Sequence, residues 1–228
     1  MKILYIIPAR GGSKGLPGKN IRLLNNRPLI AYSIDAAKSA SHKGTVMVTT
    51  DDPEIAEVSK KSGAEVPFIR PANLSNDTAS SIDVIIHAIN FYKEINEEFE
   101  MIVLLQPTSP LRSASDIDEA FQLMKKNTTT SLVSVCEAEH HPLWANVLPD
   151  NNKMGTFIRE EVKGKNRQQL PVYYRLNGAL YISTVPSFLQ HKSFIHENTI
   201  AYKMPVEKSV DIDTKMDFML AELLLKEK

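Results

Sequence analysis

Ile3-Leu4-Tyr5-Ile6-Ile7, ended by Pro8 and followed by a loop holding Gly11, Gly12, Gly15 and Gly18, constrains this chain more than any other stretch. A short continuous apolar run predicts a strand buried on both faces, as in a parallel sheet. The loop then falls at the carboxyl edge of that sheet, where open α/β folds bind ligands. Its glycines permit tight turns and close approach of backbone N–H groups, while Arg10, Lys14 and Lys19 add positive charge. Two readings follow, a polyphosphate cradle or a surface loop with solvated charges, and the position behind a first buried strand favours the cradle. The loop is not a Walker A motif, because Ser13 occupies the required glycine position and Asn20 replaces the metal-binding hydroxyl residue. It also lacks the G-x-G-x-x-G spacing of dinucleotide sites.

The chain has 228 residues, enough for one substantial core, and a single domain spanning 1–228 is expected. Lys plus Arg and Asp plus Glu each number 27, so no global basic field exists to attract nucleic acid or a membrane surface. Any anion site must be local. The absence of a long apolar stretch, and of a signal-peptide-like start, leads to the expectation of a soluble, cytoplasmic protein. The lone cysteine, Cys136, lies in an apolar run and is expected to be a buried structural thiol.

Taken in order, the periodicity predicts a helix from Pro28 to Ala40, a strand over Thr45–Thr50, and a helix from Glu54 to Ser62. Asp51 and Asp52 suit either capping or a cation, with capping favoured. Val66 to Ile69 reads as an edge strand because Pro67 cannot donate to a central ladder. Arg70 then opens a segment of small polar residues, up to Ser80 and Ser81, before a helix with an Ile-rich face. Met101 to Leu105 is the strongest central strand, and it ends in Gln106-Pro107-Thr108-Ser109-Pro110-Leu111-Arg112, again on the binding edge. Ser115-Asp116-Ile117-Asp118 resembles a capping box for the next helix, and Ser131 to Glu137 a further strand.

The alternation of strands and helices predicts an α/β fold, a three-layer α/β/α sandwich around a mostly parallel sheet. Periodicity fades over 138–171, which predicts an excursion from the sheet. His140 and His141 lack partners at metal-binding spacing. The sheet resumes at Ala179 to Ile182, and an amphipathic helix closes the chain, with Asp213 or Thr214 as candidate N-caps. In an extended segment Asp211 and Asp213 face the same side and can hold a divalent cation. Cations in one loop and paired carboxylates far along the chain are the two requirements of a magnesium-bound nucleoside triphosphate, so the pair suggests nucleotidyl transfer.

Seven blocks in order resemble the N-acylneuraminate cytidylyltransferase (CMP-sialic acid synthetase) family: the 9–20 loop, Arg70-Pro71-Ala72 with 77–81, 105–112, His140-His141-Pro142-Leu143, 167–171, 175–179 and 211–214. The resemblance implies a Rossmann-like nucleotide-diphospho-sugar transferase fold, with CTP and an acidic nine-carbon 2-keto sugar as substrates. Ala9, Arg10, Ser13, Lys19, Asn20, Arg70, Ala79 and Ser81 would bind the nucleotide. Arg10, Lys19 and Asp211 would be catalytic, with Asp211 and Asp213 holding one or two Mg2+, or Mn2+ in its place. Gln106, Arg167, Gly178 and Tyr181 would meet the sugar. The resemblance also implies a homodimer whose lobe, 138–171 with part of 185–205 and Phe194, reaches the neighbouring site. Trp144 departs from the lysine of well-known members, which bears on the sugar more than on CTP. Sialic acid leads, followed by legionaminic, pseudaminic and 3-deoxy-octulosonic acids. The reading of another class is a regulatory nucleotide-binding module without catalysis.

Overall fold

In the computed structural model, residues 1–13, 15–76 and 78–227 are described. Lys14, Asp77 and Lys228 lie outside them, so the contributions expected of Lys14 to the loop charge and of Asp77 to the polar segment are outside the described residues. The elements run β1 (Ile3–Pro8), β2 (Leu23–Leu24), β3 (Arg27–Pro28), α1 (Leu29–Ser39), β4 (Thr45–Thr49), α2 (Pro53–Lys61), α3 (Ser81–Glu94) and β5 (Met101–Leu104). They continue through α4 (Ala114–Asn127), β6 (Ser131–Glu137), β7 (Tyr174–Thr184), α5 (Val185–His191), β8 (Thr199–Lys203) and α6 (Lys215–Lys226). Among the described residues, no helix is long and apolar enough to cross a membrane.

Six strands form one sheet in the order β4-β1-β5-β7-β6-β8, and β2 pairs with β3 as a separate small ribbon. The β1–β4, β1–β5 and β6–β8 pairs are parallel, while β7 runs antiparallel to both of its neighbours. The expected mostly parallel sheet is therefore present, with β7 as the reversed strand. Alternation along the central strands makes the three layers. Ile3, Tyr5 and Ile7 of β1 and Met101 and Val103 of β5 pack with Ile30 and Ile34 of α1 and Ile117 and Phe121 of α4. Leu4 and Ile6 of β1 and Ile102 and Leu104 of β5 pack instead with Ile85 and Ile89 of α3 and Phe188 of α5. Each fully buried Ile or Leu contributes about 1.5–3 kcal/mol relative to exposure, so this two-sided run anchors the sheet.

Local chemistry sets the helix starts. Asp52 caps α2 by accepting from the Glu54 and Ile55 amides, which settles its capping role. The box before α4 uses Ser113 with Asp116, two residues earlier than the spacing predicted. Thr214 caps α6 with Asp217 as its reciprocal partner. Cys136 is buried and free. The 66–69 segment does not become a strand: Glu65 and Ile69 make only isolated parallel bridges to Met47 and Thr50, with Pro67 between them unable to donate to a ladder.

Residues 138–171 leave the sheet as expected and hold only short 3-10 turns at Pro142–Trp144, Glu160–Val162 and Arg167–Gln169. The Ala138 amide bonds the Tyr173 carbonyl at the base, and His141 is buried there, its Nε2 3.1 Å from the Pro171 carbonyl and its ring against Tyr173. The resemblance assigns part of 185–205 to the same dimer lobe. That segment builds α5 and β8 on the sheet, and Phe194 is buried against Phe188 and Tyr181 in the core. An apolar ring in a helix–strand connection gains more from the nearby core than from solvent.

Candidate active site

The loop after β1 folds over the carboxyl edge of the sheet as the sequence requires. Asn20 is buried and its Nδ2 donates to the Arg10 carbonyl at 3.0 Å, closing the loop on itself. The Gly11 amide donates to Asp51 Oδ1 at 3.2 Å, so the carboxylate after β4 fastens the loop from the neighbouring strand end. Gly15 is required by close approach: a Cβ there would lie 2.5 Å from the Asp213 carbonyl oxygen. Beneath this contact Leu16, Leu24, Leu29, Ile212 and Ala221 form a small core of their own, which holds the segment before α6 against the loop.

Residues 194 positions apart therefore meet. Lys19 Nζ donates to the Ile212 carbonyl at 2.8 Å and to Asp213 Oδ1 at 2.9 Å. Asp213 is largely exposed, so this ion pair is worth at most about 1 kcal/mol of stability. Its effect is to aim the ammonium. Arg70 is buried, donates to Ser75 Oγ at 3.1 Å and stands 3.6 Å from Asp51 Oδ1. Burial lowers the pKa of its guanidinium, and the neighbouring Arg10 lowers it further, while Asp51 opposes both.

These groups border one cleft of about 420 Å³ lined by Arg10, Ser13, Lys19, Asn20, Arg70, Ala79, Ser81, Gln106 and Asp213 among others. Ala9 is not on its wall; it is buried, with its amide on the Thr49 carbonyl at 3.0 Å. Pro107 and Thr108 also line the cleft, and the Thr108 carbonyl accepts from the Ile212 amide at 2.9 Å. The two prolines flanking Thr108 and Ser109 were the sequence signal for this loop. Asn76, Ser75 and Leu74 complete the wall without a signal that sets them apart from ordinary turn residues.

Beyond the cleft, β7 loses register with β6 between Val133 and Val135, and the residues around Gly178 bulge. Gly178 has φ of 73°, and a Cβ on it would lie 2.9 Å from Gln106 Oε1 and 3.6 Å from Asp211 Oδ2. Three residues predicted from distant blocks thus share one corner. Asp211 is half-buried and burial raises its carboxyl pKa, with a hydrogen bond from Thr108 acting the other way and Asp213 adding to the rise. Its Oδ1 is buried without a hydrogen-bond partner. Tyr181 lies further along β7, its phenol pKa raised by burial and then by Asp211. Arg167 is not at the cleft in its own chain; it lies exposed on the 138–171 excursion, 3.7 Å from Glu137.

Gly178→Ala is expected to lower stability by about 1–2 kcal/mol, the cost of placing a side chain in a left-handed conformation, and to displace Gln106. Thermal unfolding checks this; an unchanged melting temperature would show that the bulge relaxes freely.

A cationic cleft at the carboxyl edge of a mostly parallel sheet, with Asp213 on its wall and Asp211 at the adjoining corner, defines a nucleotidyltransferase class of site. The chain belongs to the cytidylyltransferase family, which it matches over residues 4–226. It is 37% identical over 233 residues to the CMP-N,N'-diacetyllegionaminic acid synthase of Legionella pneumophila, covering 99% of this chain and 97% of that protein. It is 39% identical over 221 residues to the N-acylneuraminate cytidylyltransferase of Streptococcus agalactiae serotype V, covering 96% of this chain and 52% of that protein, so it spans about half the length of that relative. In fold it is similar to a CMP:2-keto-3-deoxy-manno-octonic acid synthetase complexed with CTP, with a TM-score of 0.73, 17% identity and coverage of 100% and 99% of the two chains.

Proposed function

We propose that this protein transfers the cytidylyl group of CTP to an acidic nine-carbon 2-keto sugar, N-acetylneuraminate leading, and releases pyrophosphate. The observation that carries the reading is the meeting of Lys19 with Ile212 and Asp213 at the rim of a cleft that also holds Arg10 and Arg70. Arg10, Ser13 and Lys19 bind the triphosphate, and Asn20, Arg70, Ala79 and Ser81 the cytidine. The sugar's anomeric oxygen forms a bond to the α-phosphorus as the bond to the β-phosphate oxygen breaks. Arg10 and Lys19 offset the charge that accumulates on the phosphate oxygens, an electrostatic and positioning role. Asp211, beside Gln106 and Gly178, takes the proton of the attacking hydroxyl.

The residues present fit a hard divalent cation. Among the described residues no three His, Cys, Asp or Glu side chains gather as a metal cage. Magnesium is commonly held by one or two carboxylates, with substrate phosphates and water completing the shell. Asp211, with its unpartnered Oδ1, and Asp213 are the carboxylates that would hold it. When bound, the ion supplies charge neutralisation on the phosphates.

One observation favours a second sugar. Trp144 is an exposed indole on the excursion. An apolar aromatic face suits a sugar bearing two acetyl groups, the kind named for the Legionella relative. Pyrophosphate release with CTP, magnesium and a panel of N-acetylneuraminate, diacetyllegionaminate, pseudaminate and 3-deoxy-octulosonate tests the proposal. Turnover with a nine-carbon acid is expected, and silence across the panel defeats it.

The proposal includes a homodimer. Val147, Leu148, Met154 and Ile158 expose large apolar surface on the excursion, and burying such surface drives association. A second copy would cover it and receive Arg167, whose guanidinium can grip a sugar carboxylate with two hydrogen bonds. Light scattering is expected to give a mass of two 25.5 kDa chains; a monomer at micromolar concentration would remove Arg167 from the sugar site.

A further inference from the structure

The β5–β7 ladder ends at Leu104 and Tyr181. Gln106 and Gly178, which face each other beyond that end, have no ladder bond to set their separation. Arg112 stands behind them with 2% of its surface exposed. Its Nε donates to the Ala179 carbonyl at 3.0 Å, and its Nη2 to Ser33 Oγ at 2.6 Å and to the Gln106 carbonyl at 3.4 Å. Ser33 Oγ in turn donates to the Gln106 carbonyl at 3.2 Å. One guanidinium thus joins α1, the loop after β5 and the β7 bulge.

A buried cation is costly unless its surroundings compensate it, and an apolar side chain would fill the same space more cheaply. Here Asp116 supplies the opposite charge nearby, and Asp116 is itself paired with Lys208 at 3.0 Å. Burial lowers the Arg112 pKa to about 10, which leaves it charged at neutral pH. What the charge provides is a rigid fork for acceptors on three chain segments, which a single ammonium or an apolar side chain cannot fully reproduce.

We propose that Arg112 is a positioning residue for sugar recognition, holding the backbone of Gln106 and Ala179 so that Gln106 and Gly178 present a fixed wall to the sugar. The proposal rests on the reading that Gln106 and Gly178 meet the sugar. It separates the two substrates, because none of the contacts of Arg112 reaches the loop of Arg10 to Asn20.

The test compares wild type with Arg112→Met, Arg112→Lys and Ser33→Ala, measuring KM for the sugar acid, KM for CTP and kcat. Arg112→Met is expected to raise the sugar KM about tenfold, as loss of charged hydrogen bonds would, with the CTP KM held within about twofold. Arg112→Lys should recover part of the sugar KM. Ser33→Ala should raise it about two- to threefold by removing the hydroxyl that accepts from Arg112 Nη2 and donates to the Gln106 carbonyl, and decides the matter if Arg112→Met fails to fold. An unchanged sugar KM in a folded variant, or equal rises in both KM values, overturns the proposal. Absence of wild-type turnover with every acidic sugar instead defeats the functional reading, and this proposal with it.

Discussion

Lys19→Ala is expected to reduce cytidylyl transfer roughly 100- to 1,000-fold, the loss typical of removing a preorganised group that stabilises transition-state charge. The side chain is mostly buried and its ammonium is aimed by the Ile212 carbonyl and Asp213. Such aiming places charge before the reaction needs it, which is where electrostatic catalysis gains its advantage over water. Stability should change little. The partner carboxylate is largely exposed, so removing the ammonium leaves Asp213 hydrated rather than stranded. Steady-state pyrophosphate release paired with thermal unfolding checks both halves. A folded variant keeping more than about a tenth of wild-type turnover would remove Lys19 from the catalytic group.

Asp211→Asn is expected to abolish turnover while leaving the fold at least as stable as wild type. Burial raises the pKa of this carboxyl, so folding disfavours its ionised form. The sign follows by linkage: folded-state stability falls as pH rises through the raised value, because the carboxylate must then be held ionised away from water. A neutral amide of the same shape removes that cost. A residue whose replacement raises stability and removes activity is the pattern of a site that retains strain for function. The measurements are melting temperature at neutral pH and turnover with magnesium present. A fall in melting temperature would show that Asp211 is structural, and retained turnover would exclude it from catalysis.

Much of the fold was legible because periodicity reports burial directly. Ile3 to Ile7 is buried on both faces and becomes the strand between β4 and β5, and the alternating segments after it form the layers. The helix starts were legible only to within a few residues, since Ser113 and Ser115 are chemically equivalent caps until the chain path chooses between them. The path of 185–205 was not legible. Whether Phe194 faces a partner or its own core depends on where β8 docks, a long-range pairing with β6 that local pattern does not encode.

For the candidate site, the sequence identified the residues of the loop edge but not their tethers. Asp51 as a fastener of Gly11 follows from β4 lying beside β1, which residue types alone do not reveal. The bulge that brings Gly178 to Gln106 is likewise a product of register. Arg167 marks the remaining separation, since its place on the excursion ties any role at the cleft to a second chain.

Mass spectrometry of a single reaction of the purified protein with CTP, magnesium and the preferred nine-carbon acid tests most directly whether this cleft joins the α-phosphate of CTP to the anomeric oxygen of an acidic sugar. Equal amounts of CMP-sugar and pyrophosphate are expected, with both formed roughly 100- to 1,000-fold more slowly by Lys19→Ala. Intact CTP, or CMP and pyrophosphate without a sugar adduct, would contradict this role of the cleft.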